Sequence, residues 1–142
     1  MKSVLRFKTQ SDEETRTLGR KLASLLPQSG VVLLIGELGA GKTTLTKGIV
    51  EARGAGSEDE VSSPTFTLIH EYGDPVSVYH VDLYRIDEPK HAARLGLEEV
   101  FDKGALVLIE WGERFPHLLP ENRSEIRIRH LSGDEREFEV LL

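Results

Sequence analysis

Val31-Val32-Leu33-Leu34-Ile35-Gly36-Glu37-Leu38-Gly39-Ala40-Gly41-Lys42-Thr43-Thr44 is the stretch on which the fold turns. Its first five residues are apolar without alternation, as in a strand buried on both faces of a parallel sheet covered by helices. Gly36 to Thr43 then meets G-x-x-x-x-G-K-[ST] at every fixed position. Residues 43–53 read as a helix with Leu45, Ile49 and Val50 on its inner side. Each fixed residue of the loop has a physical task. The glycines permit a tight turn and a close approach of phosphate oxygens that a Cβ would block. Successive N–H groups from about Leu38 to Thr43 can face one concavity, an anion nest, and the helix adds its positive end. Lys42 supplies a charge for the β- and γ-phosphates, and the Thr43 hydroxyl is placed to ligate Mg²⁺.

Working outward, residues 4–8 alternate like a half-buried strand, and Ser11-Asp12-Glu13-Glu14 has capping-box spacing. Leu18, Leu22, Leu25 and Leu26 give a helical stripe over residues 12–26, which Pro27 and Gly30 stop. Residues 54–60 read as a flexible, acidic loop. Residues 66–72 and 76–82 read as strands joined around Gly73-Asp74-Pro75, a hairpin turn cluster. Short helices are expected over 88–95 and 97–101, broken at Gly96. Residues 105–109 are a second buried strand. Residues 126–131 and 136–141 alternate around Ser132-Gly133-Asp134-Glu135, a C-terminal hairpin that covers or extends one sheet edge. The fold class is α/β, with a mixed central sheet flanked by helices.

Composition narrows the class. The 142 residues carry a net charge of −6, with 39% hydrophobic residues and no cysteine. One domain of that length buries about two thirds of its unfolded surface without staples. The absent thiol excludes disulfides, thiolate zinc sites, iron–sulfur clusters and a cysteine nucleophile. The acidity argues against a dedicated nucleic-acid binder. Apolar runs fall far short of the roughly 18 residues of a membrane helix, and an arginine interrupts any N-terminal signal core. The expected location is the cytoplasm.

A phosphate-binding loop needs a carboxylate at the C-terminal end of a neighbouring strand. Glu110 follows the apolar run 105–109, and Asp82 ends the strand 76–82. Glu110 is read with Thr43 at the metal. Asp82 is read near the γ-phosphate, polarising water or holding a metal-bound water. Trp111, the only tryptophan, is a site candidate by its place beside Glu110, against the alternative of a core aromatic. Ser62-Ser63-Pro64-Thr65-Phe66-Thr67 suits either a γ-phosphate-sensing switch or plain turn chemistry before a strand. The five histidines show no metal-ligand spacing, and no G-x-S-x-G elbow occurs. A guanine-reading N-K-x-D segment is also absent, which favours ATP.

Together these pieces resemble the TsaE (YjeE) family of small bacterial P-loop ATPases. The resemblance rests on Gly36 to Thr44, Ser63-Pro64-Thr65-Phe66-Thr67-Leu68, Tyr79-His80-Val81-Asp82-Leu83-Tyr84-Arg85, Gly96-Leu97-Glu98 and Ile109-Glu110-Trp111, in that order. One departure is Gly112, where the family often has proline. The resemblance implies one P-loop ATPase domain over residues 1–142, with Mg²⁺ and ATP as cofactors. It implies nucleotide contacts from Glu37, Leu38, Gly39, Ala40, Gly41, Lys42, Thr43 and Thr44, with Trp111 close by and the adenine end around Ser11. Lys42, Asp82 and Glu110 would be catalytic, and Thr43 and Glu110 would face the metal. It further implies work with the TsaB–TsaD complex in threonylcarbamoylation of the adenosine beside the tRNA anticodon, the tRNA being held mainly by those partners. The alternative is a small-molecule kinase using the same loop.

Overall fold

The apolar stretch and its neighbours build a sheet around the second strand of the chain. In this computed structural model, residues 3–37, 41–56 and 68–142 are described. In chain order they form β1 (Val4–Thr9), α1 (Asp12–Ala23), β2 (Gly30–Ile35), α2 (Lys42–Ala52), β3 (Ile69–Tyr72), β4 (Val78–Asp82), α3 (Pro89–Ala93), α4 (Leu97–Phe101), β5 (Leu106–Glu110), β6 (Arg123–His130) and β7 (Arg136–Leu141). The seven strands lie in one sheet in the order β1-β7-β6-β2-β5-β4-β3. β4, β5, β2 and β6 run parallel, while β3, β7 and β1 pair antiparallel with their neighbours.

The parallel centre is covered on both faces, as its unbroken apolar runs require. Val32 and Leu34 of β2 join Leu106 and Leu108 of β5 under Leu18 and Leu22 of α1 and Leu45 and Ile49 of α2. Val31 and Leu33 face the other way, with Val81, Val107 and Ile109, toward Ala92, Leu97 and Phe115. Two helical glycines set the distance between α1 and α2. A Cβ on Gly19 would stand 2.3 Å from the Leu45 carbonyl oxygen, and one on Gly48 would stand 2.0 Å from that of Arg16.

Local chemistry explains where the boundaries depart from the sequence reading. α1 ends at Ala23 instead of residue 26 because the Ser24 hydroxyl donates to the Lys21 carbonyl at 2.8 Å and Pro27 disfavours helix at Leu26. Leu26 stays buried nonetheless. β4 begins at Val78 because Val76 and Ser77 belong to the turn, closed by Ser77 N–H donating to the Tyr72 carbonyl at 2.9 Å. α3 begins at Pro89, with Glu88 extended before it. The C-terminal hairpin extends the sheet beyond β2 but does not form its edge: β6 joins β2, and β1 closes the sheet against β7. Residues 38–40 and 62–67, which carry part of the loop and the switch-like segment, lie outside the described residues. Among the described residues, no helix is long and apolar enough to cross a membrane.

Candidate phosphate-binding site

Parallel strands bring their C-terminal ends to one edge, and α2 begins there. Gly41 caps α2 in the left-handed region (φ 107°) without a side-chain hydrogen bond. That conformation suits glycine and strains any residue with a Cβ. The first bond of the helix runs from Leu45 N–H to the Gly41 carbonyl at 2.9 Å. The N–H groups of Lys42, Thr43 and Thr44 therefore have no acceptor within the helix and are available to an anion. Lys42 is only 5% exposed. Its Nζ donates to the Gly36 carbonyl at 2.7 Å, stands 3.6 Å from Glu110 Oε1, and lies 4.4 Å from the centroid of the Trp111 ring. A carbonyl, a carboxylate and a π face thus compensate a cation withdrawn from water. From the other side, Arg136 Nε comes within 3.8 Å of the point a Gly41 Cβ would occupy.

The two acids predicted to serve the loop are neighbours. Asp82 and Glu110 are register partners across the β4–β5 pair, at the last position of each strand. That spacing puts their backbones about 5 Å apart, with side chains on the same face. Both are buried. Asp82 Oδ1 accepts a 2.8 Å bond from Tyr84 N–H, which turns the chain as it leaves the strand. The two oxygens of Glu110 are divided: Oε1 faces Lys42, and Oε2 accepts from His80 Nε2 at 2.5 Å. His80 lies two residues before Asp82 on the same face of β4, with no accessible surface. Directly across the β3–β4 pair stands His70, whose Nδ1 is 3.1 Å from the Tyr72 hydroxyl. Burial, and secondarily the neighbouring His80, hold the His70 imidazole below the ordinary histidine range.

Trp111 is left-handed (φ 64°), a conformation that costs a residue with a Cβ on the order of 1 kcal/mol. The chain reverses there into single 3-10 turns at Gly112–Arg114 and Pro116–Leu118, and the indole rests against Lys42. Tyr84 and the Arg114 guanidinium also flank the indole, at 5.2 Å and 5.6 Å. Arg114 donates to the carbonyls of Leu83 and Tyr84, tying this turn to the segment after Asp82. At Gly112 a Cβ would meet Ile109 Cγ2 at 2.8 Å and Leu33 Cδ2 at 2.9 Å, so the turn packs too closely in this chain for a larger residue.

Ser11 caps α1. Its Oγ accepts from Glu14 N–H at 3.1 Å, and Glu14 Oε1 accepts from Gln10 N–H at 3.0 Å, a capping box displaced by one residue. The start of α1 adjoins that of α2, since Thr15 Cγ2 lies 3.9 Å from the would-be Gly41 Cβ. Glu37 is exposed at the end of β2, and Leu38, Gly39 and Ala40 lie outside the described residues. The structure therefore brings together Gly41, Lys42, Thr43, Thr44, Asp82, Glu110 and Trp111, with Ser11 one helix away. Sequence reasoning missed His80 and Arg114. For His80 a signal existed: it alternates with Asp82 on one strand face. Arg114 gave none, because its partners are backbone carbonyls.

The donor set also bears on the metal. Among the described residues, no three His, Cys, Asp or Glu side chains form a metal-ligating group. One hydroxyl and two carboxylates suit a cation that takes most of its ligands from phosphate and water, which is the habit of Mg²⁺.

The chain is similar to known proteins along most of its length. The family model "Threonylcarbamoyl adenosine biosynthesis protein TsaE" matches residues 9–138. A Bacillus subtilis relative named tRNA threonylcarbamoyladenosine biosynthesis protein TsaE is 41% identical over 135 residues, covering 94% of this chain and 83% of the relative. A Treponema pallidum protein of the same name is 37% identical, covering 96% and 99% respectively. The crystal structure of Bacillus subtilis YdiB superposes with a TM-score of 0.78 at 35% identity, over 99% of this chain and 86% of that one. Since the family model spans most of the chain and these relatives cover it nearly end to end, the chain belongs to the TsaE family.

Proposed function

We propose that this chain is a single-domain, magnesium-dependent ATP-binding and ATP-hydrolysing accessory protein. It works in the cytoplasm with the TsaB–TsaD complex in threonylcarbamoylation of the adenosine beside the tRNA anticodon. The observation that carries the proposal is the meeting of Lys42 with Glu110 Oε1, 3.6 Å apart, at the open first turn of α2 beside Asp82. Lys42 exchanges the Gly36 carbonyl for phosphate oxygens. The N–H groups of Lys42, Thr43 and Thr44 bind and orient the same phosphates. Magnesium, when bound, neutralises charge building on the β- and γ-phosphate oxygens. Thr43 and Glu110 are the side chains that would hold it. Asp82 orients and polarises the attacking water, and Trp111 shields Lys42 from bulk solvent. The tRNA is held mainly by the partners, consistent with a net charge of −6 on this chain.

A kinase and a hydrolase differ in where the phosphate goes. With γ-labelled ATP, the expected result is free phosphate, released faster when TsaB–TsaD is present. Label on a small-molecule acceptor instead would establish the kinase reading.

A further inference from the structure

A buried side chain outside the sequence-predicted set touches the site directly. His80 has no accessible surface, and its Nε2 is 2.5 Å from Glu110 Oε2. An imidazole N–H facing a carboxylate oxygen can only donate, so one oxygen of Glu110 is held from below. Lys42 approaches the other oxygen, Oε1, at an ion-pair distance too long for a hydrogen bond. Glu110 has two further side-chain torsions beyond Cβ that burial alone would not fix. The His80 bond fixes them, because His80 itself rides on β4 in register with β5. If His80 merely filled space, no polar atom would need to aim at Glu110.

We infer that His80 is a positioning residue that pins Glu110 through Oε2, so that Oε1 is the single oxygen offered toward the metal side of the site. The inference rests on the nucleotide reading above. Magnesium tolerates little distortion of its ligand shell, which makes a fixed carboxylate oxygen matter more for it than for a looser cation. Outer partners of metal-facing side chains generally change metal affinity about 10- to 100-fold when removed.

The test compares His80→Gln with His80→Asn. Glutamine carries its amide nitrogen at about the reach of Nε2, whereas asparagine stops near Nδ1. Binding of a fluorescent ATP analogue is measured at rising magnesium concentration, and again without magnesium. The Gln variant should keep the wild-type magnesium midpoint within about threefold, and the Asn variant should need about tenfold more magnesium or beyond. Magnesium-free affinity should stay within about twofold in both, since the P-loop contacts are untouched. An Asn variant with the wild-type midpoint, or Gln and Asn variants that fail equally, would overturn the assignment. If the Asn variant does not fold, the Gln variant decides alone, and a tenfold shift in its midpoint counts against the proposal. Wild-type protein that binds ATP without magnesium dependence overturns this inference and leaves nucleotide binding standing. Wild-type protein that binds no ATP overturns the nucleotide reading and this inference with it.

Discussion

Lys42 answers to three groups at once, and removing it should have two consequences. Lys42→Ala should abolish ATP binding or turnover, measured by calorimetry and phosphate release; undiminished hydrolysis would sink the site assignment. The same substitution should also lower the stability of the nucleotide-free protein, by roughly 3 kcal/mol, because Glu110 would stay buried with His80 as its remaining close partner. Glu110→Ala should cost hydrolysis far more than magnesium-free nucleotide binding, which the helix end and Lys42 supply. Normal magnesium-dependent binding with unchanged phosphate release in that variant would remove Glu110 from the metal side. At this scale the sequence was legible wherever chemistry is local. Lys42 and Thr43 sit inside a contiguous motif, and Glu110 stands where an apolar run ends. The Gly36 carbonyl that receives Lys42 and the split use of the Glu110 oxygens were not legible, because a backbone acceptor and a rotamer leave no mark on residue type.

The elements carry two further predictions. α1 and α2 touch through Gly19 and Gly48, where neither helix has room for a methyl group. Gly48→Ala gains about 1 kcal/mol of helix propensity yet should destabilise the fold by about 1–3 kcal/mol, because overpacking must separate the helices. An unchanged or raised melting temperature would show that the contact can relax. His70 on β3 titrates below its ordinary range when folded. As pH falls through about 6.5, the unfolded chain therefore takes up a proton before the folded one does, and stability drops until the lowered folded value is passed. Denaturation midpoints at pH 7.5 and 5.5 should diverge less in His70→Gln than in the wild type; equal divergence would exclude His70 as a source. The types of the described elements were readable from periodicity, and their ends were less so. The end of α1 depends on a serine side chain competing for a backbone carbonyl, and the start of β4 on a turn that consumes Val76 and Ser77. The place of the hairpin inside the sheet depends on β6 choosing β2 as its parallel neighbour, a long-range pairing that local alternation does not encode.

Over the whole molecule, one sheet edge gathers the beginning of α2, the ends of β4 and β5, and the tryptophan turn. Under the proposed function, the chain would offer its partner complex a phosphate site rather than a broad basic surface for RNA, in keeping with its acidity. The most direct measurement is multiple-turnover formation of threonylcarbamoyladenosine on tRNA by TsaB–TsaD, with the adenylate donor supplied and with either this chain or its Lys42→Ala variant added. The wild-type chain with magnesium and ATP should carry the reaction well past one modified adenosine per complex, while the variant stalls near the first turnover. Equal yields from the two proteins would contradict the claim that ATP at this site drives the function.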